Sequence, residues 1–176
     1  MIPNDYESID VTQLCDPIIG SIAKDWMLVT VRTPDGGSNP MTASWGGVGF
    51  LWKRPVFWCV LRPQRYTHEL AQKTDAVSVS FYSEEMRPAL SYCGTHSGRD
   101  GDKEKAAGLT PVACGDHVFY EGARMVFLGR KLYCGQMKQE GFVLPDIPDE
   151  CYPNGDYHYV YVCEIEQALV RRDLQK

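Results

Sequence analysis

The sequence predicts a mainly β fold, an antiparallel barrel carrying a few short helices. Three observations predict it. Six or seven stretches are rich in β-branched and aromatic residues, Gly, Pro and Asp punctuate the chain between them, and only three short segments read as helical. That many strands joined by turns are most readily satisfied by an antiparallel sheet closed into a barrel, where no unpaired edge remains.

Taken in order, residues 1–25 read as an N-terminal arm and connector, because Pro3, Pro17 and Gly20 interrupt any long element. Trp26–Thr33 is β-branched and predicts the first barrel strand, and Pro34-Asp-Gly-Gly-Ser38 predicts a hairpin turn into Met41. Met41 to Trp45 alternates, with Met41, Ala43 and Trp45 on one face and Thr42 and Ser44 on the other. Lys53-Arg54-Pro55 reads as a corner before an apolar strand, Val56 to Leu61. His68–Lys73 is a short helix, and Ala76–Tyr82 a strand with Val77, Val79 and Phe81 on one face. Ser83–Cys93 is helical in tendency, with Pro88 as an interruption. Gly94–Gly108 is a polar loop holding a short helical piece that Gly108 closes. Val118–Val126 and Leu128–Met137 read as paired strands, Gly141–Gly155 as a surface excursion, and Tyr157–Ile165 as the closing strand before a polar tail.

At 176 residues, one domain spanning 1–176 is expected, with 44% hydrophobic residues to build its core. No apolar run is long enough to span a bilayer and no basic n-region leads an apolar stretch, so a cytoplasmic protein without a membrane partner is expected. The seven cysteines are scattered without a C-x-x-C pair, and the four histidines lack ligand spacing, so no metal site is expected and the cysteines read as reduced thiols.

One stretch concentrates chemistry. Residues 36–68 contain no Asp or Glu but carry Lys53, Arg54, Arg62 and Arg65, although the whole chain has a formal charge of −5. A positive island in an acidic chain is a plausible seat for a focused anion such as a phosphate. Gly46, Gly47 and Gly49 remove side chains directly after the Met41–Trp45 strand, so that a backbone or a flat ligand can approach. Arg62-Pro-Gln-Arg65-Tyr66-Thr67 then offers two guanidinium forks and hydroxyls just before a helix. A β-barrel that stacks single-stranded nucleic acid on Trp45, Trp52 and Trp58 is an alternative use of the same residues, which the acidic total disfavours, so no nucleic acid is expected.

The strings NPMTASWGGVG, RPVFWCVLRPQRYT and SGRDGDK, in that order, resemble the flavin reductase-like, FMN-binding split-barrel family, and within it the flavoredoxin branch. The resemblance runs from about Trp26 to Arg130, with an echo at the final strand. It implies a Greek-key-like split barrel holding FMN against the strand around Met41. Asn39, Met41, Thr42, Ala43, Ser44 and Trp45 match the strand motif. Thr42 and Ser44 would bond the polar edge of the ring through hydroxyl or backbone, and Trp45 would wall it. Arg62, Arg65, Tyr66 and Thr67 match the phosphate-side motif, and Ser97, Arg99 and Lys103 a second phosphate-side loop. His158 sits in GDYHYVYVCEI, which is similar to the family's G-D-H…G-E segment apart from an inserted Tyr157 and Cys163 in place of the glycine. It would lie on the substrate side.

The implied function is an FMN-dependent oxidoreductase passing electrons from NAD(P)H or a protein donor. The alternative is a flavoredoxin-type electron carrier that is not itself an enzyme. No G-x-G-x-x-G occurs, so nicotinamide would bind transiently over the flavin, and no residue is singled out as a catalytic acid, base or nucleophile. The resemblance also implies a homodimer with the flavin near the interface.

Overall fold

The computed structural model describes residues 2–174. Ten strands occur among them: β1 (Tyr6–Ile9), β2 (Met27–Arg32), β3 (Ser38–Ala43), β4 (Gly46–Leu51), β5 (Arg54–Leu61), β6 (Ala76–Phe81), β7 (Pro111–Cys114), β8 (His117–Tyr120), β9 (Met125–Gln136) and β10 (Tyr159–Arg171). The helices are α1 (Ile18–Gly20), α2 (Tyr66–Ala71), α3 (Arg87–Thr95), α4 (Lys103–Ala106) and α5 (Asp146–Cys151). One sheet runs β3-β2-β6-β9-β10-β5-β4 with β1 added beside β10, and every pairing in it is antiparallel. The two ends of that path, β3 and β4, follow each other in the chain without pairing. The sheet is therefore a split barrel, and the unpaired edges expected to vanish by closure survive at β3 and β4.

β2 shows how sequence becomes packing. Its residues Met27 to Val31 are all buried, because each face meets a different core. Met27, Val29 and Val31 join Met41, Phe57, Leu61, Val79, Phe81 and Phe127 inside the barrel. Leu28 points the other way, to a second cluster with Tyr82, Leu90, Phe119, Tyr120 and Leu169. Burying one such aliphatic side chain contributes roughly 1.5–3 kcal/mol, so the second cluster holds α3 and the β7–β8 hairpin firmly to the barrel wall.

Several elements differ from the sequence expectation. The N-terminal arm is stitched in: β1 pairs with β10 from Tyr6 opposite Arg171 to Ile9 opposite Ala168, and Tyr6 is buried against Phe119. Residues 118–126 and 128–137 do not pair with each other. β8 pairs with β7, whereas β9 is one long strand between β6 and β10. The polar tail after Ile165 continues β10 to Arg171 past a register shift at Ile165/Gln167, with Glu166 exposed and Ala168 and Leu169 buried. Pro88 starts α3 rather than interrupting it, a position where its missing N–H costs nothing. The β4–β5 turn places Trp52 and Lys53 at φ 52° and 61°, the left-handed pair that a two-residue hairpin turn requires.

Candidate functional site

The edge strand β3 is the spine of the site. It pairs with β2 only, so its outer backbone edge keeps free N–H and C=O groups. A cleft of about 280 Å³ runs along it, lined by Met41, Thr42, Ala43, Ser44 and Trp45 together with Val60, Arg62, Arg65, Gly94 and His158. A second cleft, of about 460 Å³, is lined by Asn39, Tyr66, Gly98 and Lys103 among others. A larger cavity of about 660 Å³ sits elsewhere, between the N-terminal segment and the end of β10, and none of the sequence-predicted site residues lines it.

Asn39 is buried at the start of β3 and donates from Nδ2 to Thr67 Oγ1 at 2.7 Å. Thr67 lies in the first turn of α2, which begins after Arg65 in extended backbone. A Cβ on Gly98 would lie 2.0 Å from Asn39 Oδ1, so only glycine lets the 97–101 loop close over this corner. Lys103 enters the same corner from α4, 6% exposed, and donates from Nζ to Pro40 O at 2.8 Å. Burial pushes its ammonium down to about 8, the neighbouring Arg65 adds to that, and the Cys93 thiol opposes it.

Arg65 is itself depressed by burial, and among the described residues its guanidinium meets Met41 Sδ at 3.1 Å and Cys93 O at 3.4 Å. Among the described residues, no carboxylate lies within ion-pair distance of Arg65 or Lys103. Two cations, one half-buried in the β3 cleft and one buried in the adjoining cleft, thus act on each other without a counter-charge among the described residues, an arrangement that an oxyanion would complete.

The remaining predicted residues are distributed differently. Arg62 lines the β3 cleft, but its charge is met by Asp156, with Cys151 O at 2.8 Å and the Tyr152 ring 5.3 Å away. Arg99 is held outside the corner by Glu69 at 2.9 Å and lies over Tyr66, while Ser97 Oγ accepts from Arg99 N. The Thr42 hydroxyl donates to Leu90 O at 2.5 Å, which leaves the backbone of Thr42 as its offer to a ligand. Ser44 and Trp45 follow the end of β3, and Trp45 is 46% exposed rather than a core residue.

Two expectations are corrected. The glycine shelf is not open, because a Cβ on Gly47 would lie 2.2 Å from the Trp58 indole; the glycines let Trp58 lie across β4. The positive island is dispersed as well. Arg54 pairs with Glu164 at 2.7 Å and Lys53 sits at the hairpin tip, so of its four cations Arg65 alone reaches the β3 cleft without a carboxylate partner among the described residues. The sequence reading missed Gly94 and Val60 in the cleft wall. Gly98 was signalled only by its place between Ser97 and Arg99.

His158 closes the cleft opposite Trp45, the rings 5.2 Å apart, with Nδ1 and the Tyr152 hydroxyl at 2.9 Å. Burial first, then Arg62, pushes it down to about 4, so the imidazole is neutral at pH 7. Because the folded state resists its protonation, stability falls as the pH drops from the unfolded value near 6.5 toward 4, by up to about 3 kcal/mol. Urea midpoints at pH 7.0 and 4.5 are expected to lie closer together for His158→Gln than for the wild type; an equal acid loss in both would remove this assignment.

The flavin reductase like domain model matches residues 19–175. The sequence matches none of the curated proteins. Among solved structures, the flavoredoxin of Desulfovibrio vulgaris (Miyazaki F) is 21% identical, with a TM-score of 0.69 over 97% of this chain and 79% of that one. The Thermus thermophilus FMN-binding protein with bound p-hydroxybenzaldehyde is 22% identical, with a TM-score of 0.68 over 95% of this chain and 85% of that one. Nitrilotriacetate monooxygenase component B from Bacillus cereus is 14% identical, with a TM-score of 0.69 over 97% and 84%. These likenesses carry the fold, the family match spans nearly the whole sequence, and together they show that the chain belongs to the flavin reductase-like domain family.

Proposed function

We propose that the clefts along β3 hold FMN and that the protein is a flavin reductase-like oxidoreductase taking electrons from NAD(P)H or a redox-protein donor. One observation carries the reading: half-buried Arg65, in the Met41–Trp45 cleft, and buried Lys103, in the adjoining Asn39 cleft, lie near enough for each charge to act on the other, and among the described residues neither has a carboxylate partner. A phosphomonoester supplies the charge they lack, whereas riboflavin alone does not. The outer backbone edge at the end of β3, Thr42 and Ala43, with Ser44 just beyond it, takes the polar rim of the ring system, and Trp45 walls one side. Bound flavin supplies the hydride and electron chemistry. The chain's residues bind the phosphate, orient the ring and keep a neutral imidazole, His158, on the open side.

Fluorescence titration tests this directly. FMN emission is expected to quench on binding, with riboflavin binding much more weakly; protein that quenches neither and desalts colourless would end the proposal. Anaerobic addition of NADH, then NADPH, is expected to bleach the bound flavin. Flavin retained through desalting but bleached by neither would point to a carrier of the flavoredoxin kind.

The active form is a homodimer in this reading. The β4–β5 hairpin exposes Phe50, Leu51 and Trp52, with Tyr133 beside Trp52 at 6.4 Å, an apolar surface suited to a second copy. Sedimentation velocity at micromolar concentration is expected to give a dimer mass, and Trp52→Glu a monomer. A monomeric wild type would contradict the assembly. The cytoplasm is the proposed setting, since all seven cysteines are free thiols.

A further inference from the structure

The cleft leading outward from the Lys103 corner is walled by three carboxylates, those of Asp35, Asp102 and Glu104, and Lys103 is its one basic side chain. Glu104 is half-buried and Asp35 and Asp102 are exposed, but each is tied down by hydrogen bonds. Glu104 Oε1 accepts from the Ser38 hydroxyl and from Tyr120 at 2.7 Å, and Tyr120 is fully buried. Asp102 caps α4 by accepting from Lys105 N at 3.0 Å. Asp35 accepts from the Thr33 hydroxyl and, at 3.4 Å, from Gly37 N. These hydrogen bonds restrict where each carboxylate sits relative to an approaching anion.

We propose that this pinned acidic wall sets the flavin specificity of the site, admitting the single phosphate of FMN at Arg65 and Lys103 and rejecting the second phosphate of FAD. The proposal rests on the FMN reading above. A flavin dinucleotide would have to carry its second phosphoryl group and its adenosine away from the corner, and the adjoining cleft offers that phosphate three fixed negative charges and no further cation. Salt screens this repulsion most at the exposed Asp35 and Asp102 and least at the half-buried Glu104, so the discrimination is expected to weaken as ionic strength rises. The acids do not neutralise the corner itself, since none pairs with Lys103.

The test titrates FMN, FAD and riboflavin against the wild-type chain, Glu104→Gln, and Glu104→Gln with Asp102→Asn. Both substitutions keep an acceptor oxygen for the existing hydrogen bonds, and a thermal melt of each variant verifies folding. The wild type is expected to bind FMN at least about tenfold more tightly than FAD. The variants are expected to narrow that ratio stepwise, mainly by tightening FAD. FAD binding as tightly as FMN in the wild type, or an unchanged ratio in the folded double variant, overturns the specificity assignment while leaving the FMN site standing. Riboflavin binding as well as FMN, or no flavin binding at all, removes the phosphate corner and the inference with it.

Discussion

Replacing Arg65 and Lys103 together by methionine is expected to weaken FMN by at least about a hundredfold while leaving riboflavin affinity unchanged. Each charge-assisted contact to a phosphate is worth roughly 1.5–3 kcal/mol, and the loss of two exceeds the 2.7 kcal/mol or so that a hundredfold represents. The same variant is expected to melt higher than the wild type without flavin. Lys103 is buried with one carbonyl partner and no carboxylate, so its charge is held at a cost of up to about 3 kcal/mol at neutral pH. Methionine fills similar volume with no charge to desolvate. Titration calorimetry with both flavins and a melt of the apo-protein measure the two halves. A variant that loses riboflavin as severely as FMN, or that melts well below the wild type, would show that the cations hold the fold together rather than wait for an anion.

That trade of stability for binding explains which parts of the site can be read from a sequence. Local patterns suffice where one element decides the outcome: the alternation of Val77, Val79 and Phe81 identifies β6, and the motif around Asn39 and Thr67 brings the right pair to one corner. They fail where a distant partner decides. Arg62 looks as free as Arg65 until Asp156, 94 residues later, is seen to neutralise it. Gly47 reads as an opening for a ligand until Trp58, its opposite number on β5, is found lying over it. β1 and the second half of β10 carry too many polar residues to announce themselves, yet each supplies the other's hydrogen bonds. That Lys103 lacks a carboxylate partner cannot be read from SGRDGDKE, where Asp102 and Glu104 flank it; in the fold those two acids bond to an amide and to hydroxyls instead.

The second large effect is a loss of FMN affinity with rising pH. In the free protein Lys103 has been pushed down to about 8, so it is largely charged at pH 7 and largely neutral at pH 9. A bound phosphate favours the ammonium and raises its proton affinity, which means that binding takes up a proton wherever the free lysine has lost one. Below pH 8 the affinity is therefore flat, apart from the phosphate's own ionisation near pH 6. Above pH 8 it declines toward a limit of about tenfold per pH unit until the pKa of the complex is reached. Arg65 stays charged throughout and sets the floor. Lys103→Arg is expected to remove the decline if the longer side chain is accommodated, and Lys103→Met to remove it while lying low at every pH. Folding moves in the opposite sense: the apo-protein gains stability from pH 8 toward 10.5, as the unfolded chain alone retains the proton. Dissociation constants from pH 6.5 to 9.5 at constant ionic strength decide the matter. A wild-type profile that stays level across pH 8, or one that keeps its slope in Lys103→Met, would place the titrating group elsewhere.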